Sequence, residues 1–249
     1  INNAGLTYRA LGNYAKAIEF YKRVISIDNK FIDAHFNLGN AYFYVNDFDN
    51  SILCYESVIS LNPGHVEAYY NAGRAYIKKN DYDKALYYFK KALQITDSDP
   101  DIYYNVGKVQ FIKNQYEEAI NTLEKVIQEN PDFIEALNLI AVCYGGLENY
   151  EIMYKYLNKI ISLNPDYAPA YYNGGITYRK RNRPDKAIEC YLKAININPS
   201  FADTYFNLAN VYYEKGDYLN TCKYYAKYLE LNPEDFEAKE VLEKVKSYL

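Results

Sequence analysis

The chain has 249 residues, of which 49% are hydrophobic and 24% charged, the balance of a globular protein rather than of a disordered, collagenous or disulfide-stapled one. With 28 Lys and Arg against 32 Asp and Glu, its formal charge of −4 lacks the basic footprint that dominates nucleic-acid affinity, so no nucleic-acid partner is expected. The longest apolar run, Leu139 to Tyr144, falls far short of the roughly 18 residues of a membrane helix, and no membrane span is expected.

Only two histidines, His35 and His65, are available for general-base chemistry. Cys54, Cys143, Cys190 and Cys222 form no C-x-x-C pair, and no cluster of His, Cys and carboxylate has metal-ligand spacing. The expectation is therefore no metal, no cofactor and no catalytic residue. The cysteines stand among apolar neighbours and read as buried side chains, which fits a reducing compartment, the cytoplasm being favoured. The chain begins at Ile1 without Met or a signal-like segment, so it reads as a fragment of a longer protein.

An internal period organises the whole sequence. Gly5, Gly39, Gly73, Gly107 and Gly175 are separated by multiples of 34 residues, and Ala141 and Ala209 fill the two gaps. Three residues further on runs the column Tyr8, Tyr42, Tyr76, Gln110, Tyr144, Tyr178 and Tyr212. Twelve residues past the glycines come Ala17, Ser51, Ala85, Ala119, Met153, Ala187 and Thr221. A fourth column holds Pro63, Pro131, Pro165, Pro199 and Pro233, with Asn29 and Asp97 where proline is missing. Seven copies follow without an insertion: 1–31, 32–65, 66–99, 100–133, 134–167, 168–201 and 202–235.

Each copy is predicted to be a helical hairpin. The small column, beside Ala34, Ala68, Ala136 and Ala170, lets two helix backbones approach, and the Tyr column fills the space alongside. Gly12, Asn46, Asn80, Asn114, Asn182 and Gly216 tolerate left-handed geometry and are expected to end the first helices. Asp47, Asp81, Asn149 and Asp217 follow as N-caps, and Pro184 takes the first turn of its helix. Asn-Pro closes five repeats, because proline stops the second helix. Residues 236–249 begin like an eighth copy but hold one helix, which is predicted to cap the array. A lone hairpin cannot bury both apolar faces, so the copies must stack. The predicted fold class is all-α, a right-handed α-α superhelix of seven hairpins plus a capping helix, one solenoid domain over 1–249 with a concave and a convex side.

Tyr69-x-x-Ala72-Gly73-x-x-Tyr76, followed by Ala85-x-x-x-Phe89, resembles the W-x-x-L-G-x-x-Y, A-x-x-x-F signature of tetratricopeptide repeats. The resemblance covers nearly the whole chain, with Tyr in place of Trp at the first signature position in four copies. It implies a scaffold that binds a protein or peptide.

Two residues before the glycine column stands Asn3, Asn37, Asn71, Asn105, Leu139, Asn173 and Asn207. Asn makes up 27 of 249 residues and is a poor helix former, so six in one column ask for a reason other than helix stability. A primary amide can bond the backbone of an extended peptide whatever its sequence. The row is similar to the asparagine ladder of the O-linked N-acetylglucosamine transferase family. The alternative is that Asn was simply copied by duplication. Beside it run Phe36, Tyr70, Tyr104, Asn138, Tyr172 and Phe206, suited to partner side chains or to packing on the next repeat. One turn on, Asn40, Arg74, Lys108 and Asn210 share the face, with Lys78 and Lys180 near. These bases either receive an acidic or carboxyl-bearing peptide or, in the reading preferred here, pair with Asp33, Glu67, Asp101, Glu135 and Asp203. The candidate peptide-binding residues are thus Asn37, Asn71, Asn105, Asn173, Asn207, Asn40, Arg74, Lys108, Asn210, Tyr70, Tyr104 and Tyr172.

The lysines that clamp a chaperone's C-terminal carboxylate in one subtype are replaced by Phe36, Tyr70 and Tyr104 and by Asp33, Glu67 and Asp101, so that ligand is not expected. The fifth repeat departs most, with Leu139, Ala141, Gly145-Gly146 and Met153, and is read as a bend or a notch for a partner, or as drift. Three functional readings result: a peptide- or protein-binding scaffold without chemistry, the substrate-recognition arm of a larger enzyme such as a glycosyltransferase, and an array that self-associates end to end or through convex faces.

Overall fold

The computed structural model describes residues 1–96 and 98–249; Asp97, from the fourth column, lies outside the described residues. Among the described residues there are fifteen helices and no strand, the all-α hairpin architecture on which the α-α superhelix class is built. The chain divides into two compact units, Ile1–Glu129 and Asn130–Leu249.

The first unit holds four hairpins, α1 (Asn2–Ala10) with α2 (Tyr14–Ile27), α3 (Ile32–Tyr44) with α4 (Phe48–Leu61), α5 (Val66–Lys78) with α6 (Tyr82–Thr96), and α7 (Pro100–Ile112) with α8 (Tyr116–Glu129). The second holds three, α9 (Ile134–Gly146) with α10 (Tyr150–Leu163), α11 (Ala168–Lys180) with α12 (Pro184–Ile197), and α13 (Ala202–Glu214) with α14 (Tyr218–Leu231), followed by the single helix α15 (Phe236–Lys246). Inside each unit, each second helix packs on the first helix of the next hairpin, and α14 packs on α15.

The turn chemistry explains these boundaries. All six stop residues expected from the sequence have positive φ, from 55° at Asn182 to 74° at Gly216. The fifth repeat uses Glu148, at φ 58°, where no residue of that tolerance is available. The four expected N-caps each accept a backbone N–H through a side-chain oxygen, as Asp47 does from Asn50 at 3.2 Å, and Asn13 joins them at α2. Pro184 opens α12. The Asn of Asn-Pro adds a bond of its own: Asn62, Asn164 and Asn198 each accept the N–H two residues on, at 3.0 to 3.1 Å, which bends the chain as the proline halts the helix.

In the core, the glycines of the small column make room for a large side chain of the second helix, a ring in four of the five cases, and Ser51 Oγ of α4 reaches the Gly39 carbonyl at 2.9 Å. Sixteen residues beyond each glycine lies Tyr21, Tyr55, Phe89, Leu123 or Tyr191, and a Cβ on Gly39 would stand 2.7 Å from Tyr55 Cε1. The Tyr column stacks instead on rings of its own hairpin, Tyr8 on Phe20 and Tyr76 on Tyr88 at 5.3 Å and Tyr212 on Tyr224 at 5.5 Å. In the fifth repeat α9 runs unbroken through Gly145 and Gly146. The room over Gly145 is filled by Met153, whose sulfur would lie 2.9 Å from an added Cβ and accepts the Thr177 hydroxyl at 3.1 Å. The oversized Met and the missing side chain compensate one another.

Of the four cysteines, all free, Cys54 and Cys143 are buried and Cys190 and Cys222 half-buried.

Candidate functional site

In the first unit the Asn row ties each repeat to its neighbour. Asn37 Oδ1 accepts from Arg9 Nη1 at 2.9 Å. Asn71 Nδ2 donates to Asn40 Oδ1 at 3.3 Å, and Asn71 Oδ1 accepts from Arg74 Nη1 at 3.3 Å. Asn105 Nδ2 donates to Tyr70 Oη at 3.1 Å and back to the Asp101 carbonyl at 2.8 Å, leaving its own carbonyl open. These amides, with Asn40 and Tyr104, are half-buried, whereas Arg74 and Lys108 are exposed.

The second unit repeats the pattern. Asn207 Nδ2 donates to Tyr172 Oη at 3.1 Å and to the Asp203 carbonyl at 3.0 Å. Its Oδ1 faces Arg179 Nη1 at 3.5 Å, and Asn210 Oδ1 accepts from Tyr225 Oη at 2.6 Å. Asn173 donates to Asn138 Oδ1 at 2.9 Å and is only 8% exposed, so of the row it has the least surface to offer.

The aromatic row is packed inward. Phe36 lies 4.9 Å from the His65 ring, Tyr172 4.8 Å from Phe201, and Phe206 5.1 Å from Tyr228. Burial pushes the Tyr70 and Tyr172 phenols above their ordinary pKa, so both stay protonated as the next repeat's Asn donates to them.

Among the described residues, no pair forms between the bases of the face and Asp33, Glu67, Asp101, Glu135 or Asp203, contrary to the pairing preferred from the sequence. The lysines that do pair across repeats are others, Lys79 with Asp49, Lys113 with Asp83 at 2.5 Å, and Lys215 with Asp185. Arg74 lies instead over the rings of Phe43 and Tyr70, at 5.1 and 5.6 Å. Position in the helix separates the groups: these acids sit in the first turn, the bases two turns on.

Sequence reasoning missed two arginines. Arg9 and Arg179 occupy equivalent positions five repeats apart and face Asn37 and Asn207. Arg9 and Arg74 line a cavity of about 450 Å³ with Asn40, Asn71 and Tyr55. A second, of about 470 Å³, holds Arg179 and Asn207. The only signal was the recurrence of Arg in one column. A larger opening of about 620 Å³, lined by Tyr154, Tyr171, Tyr178 and Cys190 among others, contains no member of the Asn row. Among the described residues no group of three or more His, Cys, Asp or Glu could hold a metal ion, and no helix is long and apolar enough to cross a membrane.

Family models described as TPR repeat and tetratricopeptide repeat match residues 5–45, 36–100, 77–143, 134–167, 156–189, 175–216 and 202–235, which together run from 5 to 235. The chain belongs to the tetratricopeptide-repeat family. No curated protein matches it in sequence. Among solved tetratricopeptide-repeat structures it is similar to YrrB, described as having an unusual peptide-binding site, at 26% identity over 74% of this chain and 95% of that one, with a TM-score of 0.61. It is also similar to a tetratricopeptide-repeat protein from Parabacteroides merdae, at 16% identity over 98% and 96% of the chains and a TM-score of 0.81. A third likeness is to the Cut9-Hcn1 hetero-tetramer of the APC/C, at 15% identity over 97% of this chain and 48% of that one, with a TM-score of 0.73. At those identities the last two show the fold alone.

Proposed function

We propose that this tetratricopeptide-repeat chain is a protein-interaction scaffold with no chemistry of its own, binding an extended peptide or protein segment along the first helices of its hairpins. One observation carries the reading: where an amide of the Asn row is fixed at one end by its neighbours alone, its other end stays open to a ligand. The Asn37 Nδ2 donors and the Asn105 carbonyl are two such groups, since their other ends are fixed by Arg9 and by Tyr70 and Asp101. Side chains already immobilised lose little entropy when a ligand arrives, and an open donor together with an open acceptor suits a peptide backbone. Asn37, Asn71, Asn105, Asn207, Asn40 and Asn210 would contact the backbone, Tyr70, Tyr104 and Tyr172 would wall the partner's side chains, and Arg74 and Lys108 would receive acidic groups. Asn173, buried against Asn138, would act through its neighbour. YrrB, with its peptide-binding site, lends support by likeness.

The experiment is selection of peptides from a random displayed library, followed by amide hydrogen exchange of the complex. Protection gathered on α3, α5 and α7 or on α11 and α13 is the expected result. Protection confined to second helices would contradict the reading.

A further inference from the structure

In each hairpin the residue before the small column and the residue sixteen further on share one space. Leu38 and Cys54 belong to one core cluster, Tyr88 packs on the cluster that contains Ala72, and a Cβ on Gly174 would lie 3.6 Å from Cys190 Sγ. The sizes of the two residues compensate along the chain. Small Ala4 and Ala72 are matched by the rings of Phe20 and Tyr88, whereas small Cys54 and Thr122 are matched by Leu38 and Val106. In the fifth and seventh repeats both members are large, Ile140 with Tyr156 and Leu208 with Tyr224. The sixth repeat alone has two small ones, Gly174 and Cys190. There the opening of about 620 Å³ lies, lined by α10, α11 and α12 of the second unit.

The ring that fills this space elsewhere has a defined seat. In the third repeat Tyr88 stacks on Tyr76 with centroids 5.3 Å apart, lies 6.3 Å from Tyr69, and donates its phenol to Glu56 Oε1 at 2.6 Å. Tyr8 with Phe20, Tyr144 with Tyr156 and Tyr212 with Tyr224 stack in the same way. The sixth repeat keeps the seat without the ring. Tyr178 stands for Tyr76, Tyr171 for Tyr69 and Asn158 for Glu56, and all three line the opening. The lysine over the column ring is kept too, Lys186 on Tyr178 at 5.6 Å as Lys84 on Tyr76 at 5.2 Å. In place of a stacked ring Tyr178 meets Tyr154 edge-on, at an interplanar angle of 67°.

We propose that the opening between α10 and α12 docks a partner protein through a tyrosine side chain, which takes the seat that Tyr88 takes in the third repeat. Asn158 supplies the hydrogen-bond acceptor in Glu56's position, and Leu157 and Ile161 complete an apolar floor. About 620 Å³ exceeds what one phenol ring needs, so the backbone on either side of the tyrosine is accommodated as well, which favours a protein segment over a free phenol. An aromatic anchor in such a pocket, with Lys186, Glu189 and Lys193 at its rim, is the arrangement that concentrates binding energy in one side chain. No residue of the Asn row takes part, so the site is independent of peptide binding along the first helices.

The test follows the methyl NMR signals of Leu157, Ile161 and Leu192 in the full chain. The probes are the blocked pentapeptide acetyl-Ala-Ala-Tyr-Ala-Ala-amide, the same peptide with Phe or Leu at its centre, and p-cresol as the free ring. Saturable shifts are expected with the Tyr peptide, with affinity lower by about threefold or more for the Phe peptide, which lacks the hydrogen bond, and lower again for the Leu peptide. Asn158→Ala should abolish the preference for Tyr over Phe. Cys190→Tyr and Gly174→Leu each restore the filled pair of another repeat, and each should weaken binding by at least about tenfold while circular dichroism stays native. Cys190→Tyr should also unfold at a urea midpoint no lower than the parent's, because its ring enters vacant space. A lower midpoint would show that the seat does not take a ring and would overturn the proposal. Undiminished shifts in Gly174→Leu, or a Leu peptide that binds as well as the Tyr peptide, would overturn it too. So would p-cresol binding as tightly as the Tyr peptide, which would make a free phenol the ligand.

Discussion

Tyr55 Oη donates to Asn40 Oδ1 at 2.7 Å, and the Tyr55 ring occupies the space that a Cβ would need on Gly39, the residue before that asparagine. Tyr225 and Asn210 repeat the bond at 2.6 Å. Where the residue after the small column is apolar, at Leu6 and Ile176, the matching hydroxyls of Tyr21 and Tyr191 are buried with no hydrogen-bond partner among the described residues. Tyr55→Phe is therefore expected to cost about 1 kcal/mol, whereas Tyr191→Phe should cost nothing or stabilise slightly. Urea unfolding of both variants measures the difference, and equal losses would contradict the assignment.

The same ring makes Gly39 irreplaceable in a way that another helical glycine is not. A Cβ on Gly39 would stand 2.7 Å from Tyr55 Cε1 and 3.2 Å from Cys54 Cβ, while one on Gly174 would meet only Cys190 Sγ at 3.6 Å, an ordinary contact. Gly39→Ala should destabilise by about 1–3 kcal/mol through overpacking. Gly174→Ala should stabilise by about 0.5–1 kcal/mol, the helix propensity gained. Thermal unfolding distinguishes the two signs.

Glu148 carries a left-handed φ of 58° with a side chain unsuited to it. Replacement by glycine relieves roughly 1 kcal/mol of backbone strain. A rise in the unfolding midpoint for Glu148→Gly, and none for Gly12→Ala, is the expected outcome.

Burial holds the Cys54 and Cys143 thiols up at about 12 and Cys190 at about 11, against an ordinary 9.0. A raised folded-state pKa means stability fully present below pH 9 that is lost as pH climbs from 9 towards 12, because the unfolded chain releases its protons first. The buried phenols of Tyr55, Tyr88 and Tyr191 shift in the same direction and reinforce the loss above pH 10. Urea midpoints should be level to about pH 9 and then decline. Cys54 and Cys143 should also resist a thiol reagent at pH 8 until the chain is unfolded.

The hairpins, their stop residues and their N-caps were legible in the sequence because each depends on one residue's own backbone preference or on a partner three positions away. Glu148 was not, since it adopts that geometry against preference, under the constraint of helices on both sides. The rings facing the glycine column could be found only by asking what lies sixteen residues on, a separation set by the hairpin rather than by helix periodicity. The Asn row was visible as a column, but its bonds run to residues 28 to 35 positions away in the next repeat, as between Arg9 and Asn37 or Asn105 and Tyr70. Which end of an amide those bonds leave open depends on packing between repeats. Expected pairs with Asp33 and Glu67 did not form, while Lys79 reached back to Asp49 on the preceding hairpin, a relation that same-helix spacing does not reveal. That pair is exposed, with 38% and 78% of the two side chains accessible, and contributes little.

The most direct test of the scaffold reading measures the affinity of library-selected peptides for the parent chain and for a variant carrying Asn37→Ala, Asn71→Ala and Asn105→Ala, with native circular dichroism required of both. Each amide lost removes one directed hydrogen bond, so the account expects affinity to fall by about a hundredfold or more while the peptides' own sequence preference is retained. Unchanged affinity in a folded variant would contradict it and would confine the Asn row to holding one repeat against the next.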